Sequence, residues 1–126
     1  MRFMIMHKLD ENNHDAWHPD AAFLARMDAF IKEAVDAGVL LAGEGLRPSS
    51  VDAARITVTG GRSTITDGPF AETKELIAGF ALMQLRDKAE AVEWGKRFAD
   101  IFAETIGEVE VDIRRVAEEE DVRPAA

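Results

Sequence analysis

The spacing of apolar residues changes along this chain from strand-like to helical and back. That alternation constrains the fold more than any other feature. Residues 2–7 alternate weakly and are rich in Phe, Met and Ile, which predicts a buried strand. Leu24, Met27, Phe30, Ile31, Ala34 and Val35 then recur at helical spacing and make one apolar stripe. Pro19 and Asp20 suit the first turn of this helix, and Gly38 suits its end, where a left-handed residue is needed. Residues 39–46 predict a second strand, closed by Arg47, Pro48 and two serines. Residues 54–59 and 62–66 flank Gly60-Gly61, which predicts a hairpin with a tight turn. Residues 77–86 are the most hydrophobic strand candidate. Asp87, with Glu90 three residues on, reads as a capping box for a second helix. The buried stripe of that helix is Ala91, Val92, Gly95, Phe98, Ala99 and Phe102, and Gly107 ends it. Residues 108–114 then alternate almost strictly, with Val109, Val111 and Ile113 on one side.

Strand, helix, strand, hairpin, strand, helix, strand is the order of an α+β fold. It predicts a ferredoxin-like split βαβ with an inserted β-hairpin. Two helices cover one face of such a sheet. The other face, drawn from Phe3, Ile5, Phe80 and Leu82 or their alternates, needs a partner. A homodimer packed sheet against sheet is the economical expectation.

Length and charge narrow the function. The expected organisation is one domain over residues 1–116, followed by an acidic tail, 117–126, read as solvated and frayed. The net charge of −9, without a basic stripe, argues against nucleic acid. No apolar run approaches the roughly 20 residues of a membrane helix, and no secretory leader is evident, so a cytoplasmic protein is expected. The absence of cysteine excludes disulfides, thiol nucleophiles and thiolate metal sites.

The densest cluster of ionisable groups is residues 67–75, Asp67-Gly68-Pro69-Phe70-Ala71-Glu72-Thr73-Lys74-Glu75. Asp67 can bond back to the turn amides, and Pro69 fixes one backbone angle. Folded over an apolar sheet face, Glu72 and Lys74 would be candidates for acid/base work, since desolvation raises a carboxylate pKa. The plainer reading is a rigid turn with its charges in water. His7 closes the first strand on the face of Phe3 and Ile5, as either a proton carrier or a packed, hydrogen-bonded residue. Glu44 and Arg47 load the end of the second strand, where Gly43 and Gly45 permit close backbone approach. Trp94 reads as packing, and Trp17 can be packing or the floor of a site. His14 and His18, with Asp10, Glu11 and Asp15, lie in a polar loop rather than at ligand spacing on a helix, so no metal is expected. No nucleophile elbow, phosphate loop or dinucleotide fingerprint is present, and no cofactor is expected.

Residues 67–75 with Gly79-Phe80 resemble the signature of the DGPF-domain, YCII-related family. Residues 42–48 and the hydrophobic opening, residues 1–7, extend the resemblance to about residues 1–116. The resemblance implies a dimeric α/β barrel with a cleft between sheet and motif, and a homodimer. It also implies that relatives in the wider superfamily use a histidine and aspartate pair, with dehydrochlorination of a ring substrate among their reactions. An association with extracytoplasmic-function sigma factors is implied as well. The histidine of the family's first helix has no counterpart within residues 20–37. An acid/base pair here would have to be rebuilt from His7, Glu44, Asp67, Glu72 or Lys74. The leading expectation is a small-molecule cleft with His7, Asp67 and Lys74 as catalytic groups. Glu44, Arg47, Phe70 and Glu72 would line it, in a cofactor-free isomerase or lyase. The alternative is a ligand-sensing or regulatory module without catalysis.

Overall fold

A computed structural model describes residues 1–70 and 76–123 of the chain. The order is β1 (Arg2–Leu9), a 3-10 turn (His14–Trp17), α1 (Ala21–Asp36), β2 (Leu40–Gly45), β3 (Ala54–Thr59), β4 (Arg62–Asp67), β5 (Leu76–Gln84), α2 (Lys88–Thr105), β6 (Glu110–Arg115) and a short α3 (Glu119–Val122). The main sheet runs β2-β5-β1-β6, with every described neighbour pair antiparallel. α1 and α2 therefore each link two strands that sit either side of a third. This is the ferredoxin-like split βαβ of an α+β fold, with β3 and β4 inserted as a separate hairpin.

The helix ends follow local chemistry. The Asp20 carboxylate accepts from the Phe23 N–H at 2.8 Å, so this residue caps α1 rather than joining its first turn. At the other end Gly38 has φ +73°; its N–H donates to Val35, and the Val39 N–H donates to Ala34. Both bonds satisfy orphan carbonyls, as expected when a glycine follows a helix. Asp87 caps α2 by accepting from the Glu90 N–H at 2.9 Å.

Alternation sets what each sheet face carries. Phe3, Ile5, His7 and Leu9 of β1 point toward the helices and are buried. They pack with Ala81 and Met83 of β5, Phe30 and Ala34 of α1, and Ala91, Phe98, Ile101 and Phe102 of α2. The remaining face carries the cross-strand pairs Met4–Leu82 and Met6–Phe80, all half-buried. The first-helix stripe is only partly used: Phe30 and Ala34 are buried, whereas Leu24, Ile31 and Val35 are exposed. The helix crosses the sheet with a narrower contact than its apolar surface could supply.

The hairpin stands clear of the main sheet. Gly60 and Gly61 have φ of 58° and 78°, the positive torsions its two-residue turn requires. Ile56 and Ile65 face each other across it, beside Val58, and they are 68%, 70% and 65% exposed. In the described part of the acidic tail, two carboxylates are engaged by arginines of β1 and β6. The Arg2 guanidinium donates two hydrogen bonds to Glu118, at 2.8 and 3.0 Å, and Arg115 pairs with Asp121 at 3.0 Å. The hydrogen bonds from Arg2 hold the Glu118 carboxyl below the usual range. No helix among the described residues is long and apolar enough to cross a membrane.

Candidate functional site

A cavity of about 690 Å³ lies on the helix-bearing side of the sheet, roofed by the 3-10 turn and the start of α1. This volume is in the range of small-molecule sites. Leu9 and His7 of β1, Ala78 and Ala81 of β5, and Phe98 and Phe102 of α2 form its inner wall, with Phe23, Met27 and Phe30 from α1. Trp17 stands in the rim, fixed by its indole N–H donating to the Asp10 carbonyl at 3.0 Å. Trp94 packs against Phe30 and under Arg97, as a packing residue should.

His7 is the buried polar group of this wall. It is 9% exposed, its ring centroid 4.8 Å from that of Phe102 and 5.2 Å from that of Phe98. Its Nδ1 is sealed from solvent and has no hydrogen-bond partner. Buried polar atoms are rarely left so. The histidine is thus packed as one sequence reading expected, but without the satisfying hydrogen bond. Burial pushes its pKa down to about 4, because nothing nearby repays the desolvation of a cation. At neutral pH the ring is uncharged.

Gly79 makes room for this ring. It is His7's partner in the β1–β5 register. A Cβ at Gly79 would lie 2.5 Å from His7 Cε1 and 2.8 Å from the Glu44 carbonyl oxygen. The glycine of the Gly79-Phe80 pair is therefore required by close approach, on one side to a ring and on the other to the neighbouring strand.

Among the described residues, the other predicted site residues do not join His7. Glu44 pairs with Phe80 in the sheet, whereas His7 pairs with Gly79, one position along. Alternation puts the Glu44 and His7 side chains on opposite faces, so although Glu44 borders the cavity the two cannot act as a pair there. Arg47 is exposed and lies outside the cavity wall. Asp67 is exposed at the end of β4, and its side chain makes no hydrogen bond among the described residues. Phe70 is half-buried beneath the Arg55 guanidinium, 4.1 Å from its centroid, and is not part of the wall. Glu72 and Lys74 lie outside the described residues.

What anchors the motif is a serine that sequence reasoning passed over. Ser49 is 5% exposed in the loop after β2. Its hydroxyl donates to Glu11 and accepts from the Phe70 N–H at 2.9 Å, while its own N–H also donates to Glu11. Gly68 sits so close to this loop that a Cβ would be 1.7 Å from the Ser49 carbonyl oxygen. Among the described residues, Ser49 thus holds the start of the motif. Glu11 leads into the 3-10 turn that forms the cavity rim, so one hydroxyl joins the motif to the rim. Among the described residues no group of three or more His, Asp or Glu side chains could hold a metal. His14 and His18 stack on each other at 3.8 Å rather than converging on a point.

Two measurements check this geometry. Ser49→Ala leaves the Phe70 N–H without its acceptor and should lower stability by about 1–2 kcal/mol in urea unfolding. His7 should make stability depend on acid. The unfolded imidazole titrates near its model value of 6.5 and the folded one near 4. Between those values the unfolded chain holds the extra proton, so stability falls as pH drops from 6.5 to 4 and the His7 effect levels off below. Relative to His7→Leu, the parent should lose on the order of 3 kcal/mol across that window. Equal pH profiles for the two proteins would rule out a buried neutral imidazole.

Comparison with known proteins accords with this architecture. The YCII-related domain matches residues 1–114. An uncharacterized protein, R00369, of Rhizobium meliloti (strain 1021) is 31% identical over 98 residues, which cover 76% of this chain and 78% of that protein. The family match, residues 1–114, takes in β1 with His7, the hairpin and β5 with Gly79. On these grounds the chain belongs to the YCII-related domain family.

Proposed function

We propose that the protein binds a small molecule in the cavity beneath the 3-10 turn, with His7 as the polar group that meets it. The observation that carries this reading is an unpartnered, buried imidazole in the wall of a cavity of about 690 Å³. An enzyme reading asks His7 to move a proton. A base with a pKa of about 4 takes a proton poorly at neutral pH. Recognition asks only for a hydrogen bond, which a neutral imidazole makes well. We therefore take binding as the function and derive no isomerase or lyase step. A ligand-sensing role would use the same cavity. A reducing cytoplasm suits a chain without cysteine.

The test uses the neutral dye Nile red. One dye per chain should bind, and Ala81→Leu, which fills the floor, should weaken binding by about tenfold or more while the fold persists. Unchanged dye affinity in a folded Ala81→Leu protein would place the binding elsewhere.

A homodimer is the assembly this reading favours. Met4, Met6, Phe80 and Leu82 form an apolar sheet face that neither helix covers. Ile56, Val58 and Ile65 do the same on a hairpin that pairs with no other described strand. An isolated two-stranded hairpin is marginal in water. Sedimentation should give a dimer for the parent chain and a smaller species for the Ile56→Lys, Ile65→Lys double variant; a monomeric parent chain would end this reading.

A further inference from the structure

We propose that the cavity takes an uncharged ring compound whose carbonyl oxygen accepts a hydrogen bond from Nε2 of His7, and that it discriminates against anions. This deepens the small-molecule reading above and rests on it.

The first argument concerns the proton. Nδ1 of His7 is sealed off without a partner. A neutral imidazole carries one N–H. Placed on Nδ1, that proton would be a buried donor with no acceptor, and such orphans are rarer than unused acceptors. The proton is therefore assigned to Nε2, the ring nitrogen that is not sealed off in a residue that lines the cavity. A donor at the back of an apolar chamber selects a ligand that offers an acceptor there. An ammonium group would bring donors against a donor.

Charge supplies the second argument. No Lys or Arg stands among the described residues of the wall. The carboxylates of Asp15 and Asp20 border the mouth, and the latter is already engaged by the Phe23 N–H. An anion entering here gives up its water without a cation to replace it, which is costly. The uncharged His7 does not repay it.

Shape is the third. Phe23, Phe98 and Phe102 present rings to one another at 5.1 and 5.3 Å, with His7 against two of them. Aromatic walls favour a flat, apolar occupant that can stack or meet them edge to face.

A matched set of three bicyclic probes tests the proposal on the full chain, read by calorimetry and by the Trp17 fluorescence of a Trp94→Phe background. The set is 1-tetralone, its hydrocarbon tetralin, and the anion 1,2,3,4-tetrahydro-1-naphthoate. The ketone should bind about tenfold more tightly than the hydrocarbon, the worth of one hydrogen bond. The anion should bind at least about a hundredfold more weakly than the ketone. His7→Leu should bring the ketone to the affinity of the hydrocarbon and leave the latter within about twofold. If ketone and hydrocarbon bind equally, or the anion matches the ketone, the ligand class is wrong while the cavity reading stands. If none of the three binds at millimolar concentration, the cavity reading falls with it. Should His7→Leu fail to fold, imidazole ¹⁵N shifts of the parent chain decide the tautomer. A bare Nδ1 supports the proposal, and a protonated Nδ1 overturns it.

Discussion

A missing side chain opposite a histidine is the constraint on which the interior depends. Gly79 faces His7 across two central strands, and a single added carbon there would collide with the ring and with the Glu44 carbonyl. With glycine in place, the imidazole lies between the sheet and two phenylalanines of α2. Burial then keeps it neutral. The position of the ring, its charge and the shape of the space beside it are consequences of one backbone contact. Apolar burial around it, from Ile5, Met83 and Phe98, holds that contact in place.

The described part of the motif, residues 67–70, stands apart from the cavity wall except for its link through Ser49. Residues 67–70 end the hairpin and lean on the loop that follows β2, through Gly68 and Phe70. Ser49 passes this contact on to Glu11, which precedes the 3-10 turn of the rim. The described part of the motif therefore acts on the cavity through position rather than chemistry.

Much of the fold was legible because period and caps agreed. The hairpin could be read from Gly60-Gly61, the helix starts from Asp20 and Asp87, and the helix end from Gly38; each was where its backbone chemistry is needed. The face of His7 followed from simple alternation with Phe3 and Ile5. What alternation along one strand could not give was register between strands. Glu44 and His7 are both near strand ends, and only the β2–β5–β1 pairing shows that they point apart. Ser49 was invisible for a related reason. A serine beside Pro48 reads as an ordinary turn residue, and its partners lie 38 and 21 positions away. The partial use of the first-helix stripe was likewise hidden, since periodicity reports apolar surface and not how much of it a neighbour covers.

The hydroxyl that ties three loops together gives the molecule two kinds of cohesion. The rim is tied by the Ser49 hydroxyl, which donates to Glu11 and accepts from the Phe70 N–H, in addition to the apolar packing of Ala16 and Trp17, while the wall behind it is held by apolar packing. Apolar association weakens on cooling, whereas direct hydrogen bonds do not share that origin. Cold therefore weakens the apolar share of this cohesion more than the hydrogen-bonded share. A chaotrope that solvates peptide groups works on both at once. The entrance and the interior can answer differently to the same change of surroundings, although a single serine separates the forces that govern them.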